Sequence, residues 1–467
     1  MPTALDSEAL LAELGAGLER AERGGRRAVV SATAEVDSPD PCRLTFSSRL
    51  ARDRWFCWEQ PDRDFALAGL GCAYEAVSRG PGRFAEVART CLEVGGEAIT
   101  SGPGALPPGA GPVWTGGFAF DPEGAGSPTW SSFAPASMVL PEVSVRRGGG
   151  GAHLTVNALW EPGSEAAGLL EACRRRLASL HEKEMPLLDP HPTGRTEVRS
   201  GRAPGEFEDA VRSATGAIGS GRLSKVVLAR EVLVTSPSAH EPAALFEALR
   251  RLFPSCFCFC CGTPEAAFLG ASPELLVRRS GASVSTVGLA GSTRRSSDPG
   301  VDDHLAEQLL RSEKDRREQE IVVRRIVRAL RPGAVWVEAG AEPEIIKVAN
   351  IQHLATPVIA QMADPHSAIE LAGMLHPTPA VGGEPWPEAA SAIAELERMD
   401  RGWYAGPVGW MDSAEDGEFC VALRSALLRD RDAHLYAGVG IVAGSDPAAE
   451  LAETEVKLGA MLPLLAE

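Results

Sequence analysis

Two pairs of carboxylates with the same spacing are the residues of this sequence whose pattern could do chemistry. Asp315 and Glu318 lie in the stretch SEKDRREQEIVV, and Glu450 and Glu453 lie in SDPAAELAETEVKLGAML. Residues three positions apart share one face of a helix. Two helices that each offer such a pair could converge on one hard divalent cation, because Mg²⁺ takes oxygen ligands from one or two protein carboxylates, water and an anionic substrate. The spacing fits two solvated helix faces equally well.

The surroundings of the first pair raise the question of whether its carboxylates face inward. The pattern predicts one long helix over about residues 302–330, but no apolar residue occurs between Leu310 and Ile321. Asp315 and Glu318 fall in the row where this helix would otherwise present an apolar side chain to the interior. An inward carboxylate is costly unless it meets a cation or hydrogen-bond donors. The alternative, which charge patterning alone favours, is an exposed middle section of the helix that is rich in salt bridges.

The second pair lies in a predicted terminal helix over about residues 447–465. Asp446 is a suitable N-cap, Pro447 suits the first helical position, and Lys457 follows Glu453 by one turn. The glycine-rich segment before this helix, LYAGVGIVAGSDP, has neither the GxGxxG spacing nor that of a P-loop. We do not expect a nucleotide-binding site there.

Three other polar residues lie where they could act on a substrate. Lys225 begins the apolar stretch SKVVLAR, where a buried amine could serve as a general base, or the side chain could lie at a sheet edge. Glu274, in LGASPELL, is predicted to lie in a turn between two strands, either as a buried protonated acid or as an exposed carboxylate. Arg424, in GEFCVALRSALL, is predicted to share a strand face with small residues, which leaves room for a substrate carboxylate or a structural ion pair.

Two other sets of residues indicate structure rather than chemistry. Cys256, Cys258 and Cys260 alternate with phenylalanines in SCFCFCC, without CxxC spacing or nearby histidines, so we expect buried structural thiols and no metal site. His353 and His376 each fit a buried core or a loop position.

The composition excludes several classes of protein. The net charge of −17 and the pI of about 5.1 argue against nucleic acid and anionic membranes as partners. The N-terminus lacks the basic head and apolar core of a signal peptide, and no apolar run approaches the roughly 20 residues of a membrane span. We expect a cytoplasmic protein.

The order of the predicted elements indicates an α+β fold. Strands occur in groups, with a hairpin turning at about residues 148–151, and helices separate the groups, which favours mixed or antiparallel sheets over a parallel doubly wound sheet. A Pro/Gly/Arg-rich segment near residues 187–205 is the predicted boundary. It divides a β-rich half, 1–195, from a second half, 205–467.

Ten stretches, taken in order, resemble the chorismate-utilising enzymes, the family of isochorismate, salicylate, anthranilate and aminodeoxychorismate synthases. They cover roughly residues 206–463 and are SKVVLAR, FLGASPELL, LAGSTRR, SEKDRREQE, QHLATP, LHPTPAVGG, YAGPVGW, EFCVALRSA, YAGVGIV and ETEVKLGAM. The resemblance implies the fold of that family, with large mixed or antiparallel sheets packed face to face and flanked by helices. It makes 205–467 the chorismate-binding catalytic region and 1–195 the N-terminal half of the same fold.

Within the family the chain looks most like an isochorismate synthase, which adds water at C2 of chorismate while the C4 hydroxyl leaves. The resemblance implies that Lys225, which the amine-transferring members lack, is the base that activates the water, and that Glu274 is the acid that protonates the leaving hydroxyl. Ala380 and Val381, in HPTPAV, match the isochorismate type of a loop beside the substrate. The alternative is a salicylate synthase, which also eliminates pyruvate, shares the lysine and usually differs at that loop.

The resemblance also implies a Mg²⁺ site and a chorismate site. Glu318 and Glu453 would be direct metal ligands that hold the ring carboxylate of chorismate through the metal, with Asp315 and Glu450 behind them, partly through water. The residues implied to contact the substrate are Lys457 near the ring carboxylate, Arg424 and Gly438 at the enolpyruvyl carboxylate, and His353, Ala290, Gly291 and Ser292 along the ring.

The chain departs from the family at Gln319, where relatives commonly have histidine. The family further implies a monomer that needs no glutaminase subunit. Its product would enter the biosynthesis of menaquinone, or else of a siderophore or salicylate.

Overall fold

Helices and strands follow one another in groups along the residues that the computed structural model describes, which are 6–37, 39–189, 194–348, 351–364 and 366–466. The α-helices are α1 (Ser7–Gly24), α2 (Pro41–Ser48), α3 (Arg83–Gly95), α4 (Ala166–Ala178), α5 (Pro204–Gly219), α6 (Pro242–Leu252), α7 (Pro299–Arg311), α8 (Glu313–Leu330), α9 (Ala368–Leu375), α10 (Glu388–Glu397), α11 (Pro447–Leu458) and α12 (Pro463–Ala466). Short 3-10 helices span Pro61–Arg63, Pro128–Trp130 and Arg331–Gly333.

The strands of the first half are β1 (Ala28–Val36), β2 (Trp55–Gln60), β3 (Phe65–Leu70), β4 (Tyr74–Ser78), β5 (Ile99–Ser101), β6 (Val113–Phe118), β7 (Ala136–Leu140), β8 (Val143–Gly148) and β9 (Gly151–Trp160). The strands that follow are β10 (Glu197–Ser200), β11 (Lys225–Thr235), β12 (Phe257–Gly262), β13 (Ala267–Ser272), β14 (Leu275–Ser280), β15 (Ser283–Arg294), β16 (Ala334–Ala339), β17 (Glu344–Lys347), β18 (Ile351–Met362), β19 (Gly383–Glu384), β20 (Pro407–Asp412), β21 (Gly417–Val421), β22 (Ser425–Arg429) and β23 (Asp432–Ile441).

These strands form two large sheets. The larger has the order β10-β11-β23-β22-β13-β12-β2-β3-β8-β9-β1-β5, with β19 beside β11, and the smaller has the order β16-β18-β15-β14-β21-β20-β6-β7-β4, with β17 beside β18. The strands β1 and β5 pair in parallel, whereas long central pairs such as β11 with β23 and β15 with β18 are antiparallel. The predicted hairpin is present, with Gly148 opposite Gly151. The α+β class with mixed sheets is confirmed.

Both halves of the chain contribute strands to both sheets. In the larger sheet β12 pairs with β2, and in the smaller sheet β20 pairs with β6. Each sheet is therefore continuous from one half of the chain to the other. The predicted boundary near 187–205 lies partly outside the described residues, and the division at 195 and 205 stays a prediction.

The main core lies between the two sheets, which pack face to face as predicted. Phe65 of β3 stacks on Trp410 of β20 with 5.6 Å between ring centroids, and Trp58 and Phe118, one from each sheet, are fully buried in one cluster. Aromatic rings buried in this way contribute a large apolar area to the core. The thiols of Cys256, Cys258 and Cys260 are also buried, in a second cluster beside α6, whereas that of Cys261 lies in the main core. In the described part of the chain, no helix combines the length and apolar character that a membrane crossing requires.

The prediction of one long helix over 302–330 is wrong, because the chain breaks at Ser312 into α7 and α8. Ser312 takes an extended conformation, with ψ of 113°, and its side-chain oxygen accepts a hydrogen bond from the backbone N–H of Asp315. Such a serine caps the new helix by satisfying a donor that has no partner within it. The predicted terminal helix over 447–465 is likewise shorter, since α11 ends at Leu458.

Candidate active site

A cleft of about 750 Å³ collects most of the predicted site residues. It lies among β15, β18, β23, α8, α11 and the loops that follow β13, α9 and β21. The predicted residues that line it are Glu274, Ala290, Gly291, Ser292, Asp315, Glu318, His353, Ala380, Val381, Arg424, Gly438, Glu453 and Lys457. Lys225 and Glu450 do not line the cleft themselves but pair with residues that do.

Three lysines each hold one of the predicted metal-binding glutamates. The nitrogen–oxygen distance is 2.7 Å from Lys225 to Glu318. It is 2.8 Å for the pair Lys314 with Glu450 and for the pair Lys457 with Glu453. The fourth carboxylate, Asp315, accepts a hydrogen bond from the hydroxyl of Ser312 instead. The inward carboxylates thus meet cations and donors, as the gap in the apolar stripe suggested.

The surroundings of these carboxylates shift their pKa values in different directions. Burial raises the pKa of Asp315 and of Glu450. Burial also opposes ionisation of Glu453, but the Lys457 ammonium and a hydrogen bond from Ser292 outweigh it and lower the pKa of Glu453 to about 2. Glu453 is therefore a permanent anion of the cleft.

The donor set of the cleft fits a hard divalent cation. Four carboxylates from α8 and α11 supply oxygen atoms, which are the ligands that Mg²⁺ prefers. Among the described residues, no three of these carboxylates bring oxygens within 4.8 Å of one another. An ion held by three or more of these carboxylates would therefore require their side chains to move closer together, whereas an ion held by two of them with water and substrate would not.

Two glycines leave the space that these carboxylates occupy. A Cβ atom on Gly440 would lie 2.4 Å from Oε1 of Glu318 and 2.9 Å from Cε of Lys225. A Cβ atom on Gly291 would lie 3.0 Å from Cβ of Asp315, and its φ of +72° favours glycine in any case. Gly291 was predicted from the sequence as a site residue, but Gly440 was not.

Glu274 is held in the turn between β13 and β14, as predicted. Its backbone N–H donates to the hydroxyl of Ser272 and its carbonyl accepts from the N–H of Val421, at 3.2 and 3.0 Å. Burial raises the pKa of its side chain to about 8, against the opposing charges of Lys225 and two other cations. At neutral pH this carboxyl is protonated, so it can donate a proton to a bound molecule.

Arg424 does not lie on a strand, which corrects the prediction of a shared strand face. It follows β21 and precedes β22 with a φ of +49°, because the chain turns between the two sheets there. Its Nη2 lies 3.5 Å from Nε2 of His353, whose Nδ1 lies 3.3 Å from the carbonyl oxygen of Gly291. Burial and the nearby guanidinium lower the pKa of His353 to about 3. The ring is therefore neutral and donates to Gly291 from Nδ1.

Arg401 and Tyr404 line the cleft and were not identified from the sequence. Arg401 is buried, pairs with Glu397 and donates to the carbonyl oxygens of Val381 and Val227, at 2.8 and 3.0 Å. It therefore fixes the loop that carries Ala380 and Val381. The signal was present, since Tyr404 begins the stretch YAGPVGW on which the resemblance drew and Arg401 lies three residues before it.

Gln319 braces α8 against the smaller sheet. Its amide nitrogen donates to the carbonyl oxygen of Gly288 at 2.7 Å and to the hydroxyl of Thr356 at 3.0 Å. Since Gly288 and Thr356 lie on β15 and β18, the glutamine ties the start of α8, and with it Glu318, to two strands of the cleft wall.

Two large, mostly antiparallel sheets packed face to face, with a cleft that gathers carboxylates, ammonium groups and a guanidinium, define an α+β enzyme suited to a small anionic substrate. The chain belongs to the family of chorismate binding enzymes, whose sequence profile matches residues 16–466. This confirms the resemblance inferred from the ten sequence stretches.

Similar proteins are isochorismate synthases by name. The salicylate biosynthesis isochorismate synthase of Pseudomonas aeruginosa is 37% identical over 440 residues, which are 93% of this chain and 90% of that protein. The isochorismate synthase MenF of Bacillus subtilis is 31% identical over 458 residues, 96% of each chain. The solved structure of MenF, the menaquinone-specific isochorismate synthase from Escherichia coli, matches 97% of this chain and 100% of its own with a TM-score of 0.79 and 28% identity.

Proposed function

We propose that the protein is an isochorismate synthase, an isomerase that converts chorismate reversibly into isochorismate with Mg²⁺ bound. The observation that carries the proposal is the placement of a buried lysine, Lys225, which pairs with the cleft residue Glu318, near a buried protonated carboxyl, Glu274, that lines the same cleft. Lys225 and Glu274 are close enough for the ammonium to oppose the rise in the pKa of the carboxyl. A base and an acid at the same site suit the replacement of one hydroxyl by another.

The chain's residues divide the proton transfers between them. Lys225, once its ammonium has released a proton, takes a proton from the water that attacks C2 of chorismate. Glu274 gives its proton to the C4 hydroxyl, which leaves as water. One water is consumed and one released, so substrate and product are isomers, and proton exchange with solvent restores both side chains.

Positive groups at the cleft suit the two carboxylates of the substrate. Arg424 and the backbone at Gly438 would bind the enolpyruvyl carboxylate, and Lys457, which donates to the carbonyl of Gly438 at 2.9 Å, lies beside them. Glu318 and Glu453, with Asp315 and Glu450 behind them, would hold Mg²⁺, which when bound supplies positive charge for the ring carboxylate. His353 and the turn Ala290–Gly291–Ser292 would line the ring.

The proposal is tested by product analysis. Incubation with chorismate and Mg²⁺ should give an equilibrium mixture of chorismate and isochorismate on chromatography, with no pyruvate. EDTA should abolish conversion, and added Mg²⁺ should restore it. Formation of salicylate with pyruvate would contradict the proposal in favour of a salicylate synthase, and full activity in EDTA would contradict the metal requirement.

Gly440→Ala should lower kcat/KM for chorismate by on the order of 10²-fold while the protein still folds. The new methyl group would displace the flexible ends of Glu318 and Lys225, and a displacement of about 1 Å in a catalytic group can have this effect. Steady-state kinetics measures the loss. The matched control is Gly216→Ala in α5, where a Cβ meets nothing within 4 Å. Equal activity of both variants would show that the position of Glu318 does not matter.

The proposal includes a monomer that works without a glutaminase subunit, as the resemblance to isochorismate synthases implies. We also propose that it acts in the cytoplasm, because all ten cysteines are free thiols and free thiols persist in a reducing compartment. The product would enter menaquinone biosynthesis or the biosynthesis of a siderophore or salicylate. The names of the relatives support both branches.

A further inference from the structure

Lys314 covers one of the four carboxylates and has no part in the proposed reaction. It is the second residue of α8, and its side chain lines the cleft. Its ammonium lies 2.8 Å from Oε1 of Glu450, whose side chain is only 3% exposed and does not line the cleft. The lysine therefore stands between this carboxylate and the space of the cleft. Glu450 can reach a cation there only if Lys314 moves.

The other two lysines are held more firmly. The side chain of Lys225 is completely buried on β11. That of Lys457 is 12% exposed and also donates to the carbonyl oxygen of Gly438. The side chain of Lys314 is 42% exposed, so its ammonium can turn into solvent without losing a buried position. Of the three ammonium groups that pair with carboxylates at this cleft, Lys314 is the one that is free to leave.

We propose that Lys314 is an exchangeable counter-ion, which occupies Glu450 while the cleft is free of divalent cation and turns away when the cation binds. The inference rests on the metal site of the proposed function and adds a residue that sets its affinity. Because Lys314 already neutralises part of the charge of Glu450, a cation can bind there only by displacing the lysine. This displacement lowers the affinity of the site for the cation. The same ammonium stabilises the metal-free protein, where a buried carboxylate without a partner would be costly.

Titration calorimetry of the metal-free protein with Mg²⁺, without substrate, tests the proposal. Lys314→Met should bind Mg²⁺ about tenfold more tightly than the unmodified protein, within the usual range of coupling between two sites. In EDTA this variant should melt at a lower temperature than the unmodified protein. Added Mg²⁺ should raise its melting temperature by more, because a ligand that binds more tightly stabilises the folded state more. Lys314→Arg, which keeps the cation, should bind Mg²⁺ no more tightly than the unmodified protein.

Arg316→Met is the control for net charge. It removes one positive charge two residues away on the same helix, where Arg316 pairs with Glu342 outside the cleft. Its affinity for Mg²⁺ should stay within about twofold of the unmodified protein, since exposed charges interact weakly. An equal gain in both Met variants, or no gain in Lys314→Met, would overturn the counter-ion while leaving the metal site in place. Failure of both the unmodified protein and Lys314→Met to bind Mg²⁺ would overturn the metal site as well.

Discussion

Lys225→Met should lower kcat by about 10²- to 10⁴-fold, the usual contribution of a general base. The methionine fills much of the same buried space but cannot take a proton from water. It also leaves Glu318 without its cation, which costs about 3 kcal/mol of stability in the metal-free protein. Steady-state kinetics at saturating chorismate and Mg²⁺ measures the loss, and thermal unfolding shows that the variant is folded.

Lys225→Arg separates the two roles of this lysine. Arginine keeps a positive charge beside Glu318 but stays protonated at any ordinary pH. If Lys225 is the base, the arginine variant should regain stability and remain inactive. Activity close to that of the unmodified protein would mean that Lys225 serves only as the partner of Glu318.

Glu274→Gln should also lower kcat by about 10²- to 10⁴-fold, because the amide cannot donate a proton to the leaving hydroxyl. The shape of the side chain is kept, so KM should change little. In the unmodified protein, kcat should decline as the pH rises through about 8, where Glu274 loses its proton. Rate measurements between pH 6 and 10 would follow this decline, and a flat profile on the alkaline side would contradict the assignment.

The protonation of Glu274 should also make the stability of the protein depend on pH. Burial raises the pKa of Glu274 above its usual value near 4.5, so the folded state binds this proton more tightly than the unfolded state does. The stabilising effect is complete below the usual pKa and is lost as the pH rises through about 8. As the pH rises from 6 to 9, the melting temperature of Glu274→Gln should therefore increase relative to that of the unmodified protein. An unchanged difference over that range would indicate a carboxyl that is already ionised.

The sequence was most informative where one residue type broke a local pattern. The charged interval in the apolar stripe singled out Asp315 and Glu318 as candidate inward carboxylates, and the grouping of strands predicted the fold class. The break at Ser312 was missed, although a serine with an acidic residue three positions later is a signature of a helix start. That signature was overlooked because the helical pattern continued on both sides of it.

Other features of the site depend on contacts between distant parts of the chain. Local sequence cannot show which of three lysines meets which carboxylate, because Lys225 lies on β11 and its partner Glu318 on α8. The positive φ of Arg424 is likewise set by the turn that the chain makes between the two sheets. The protonated state of Glu274 depends on how deeply it is buried, which follows from the packing of distant segments around the cleft.

The continuity of both sheets across the two halves has a consequence for synthesis on the ribosome. The first half emerges with β2 and β6 as open edges, and their partners β12 and β20 are translated much later. Unpaired edges of this kind attract other strands, and pairing over such long sequence separations is slow. The nascent chain should therefore depend on chaperones until β20 has emerged, and a fragment starting at residue 205 should aggregate rather than fold as an independent enzyme.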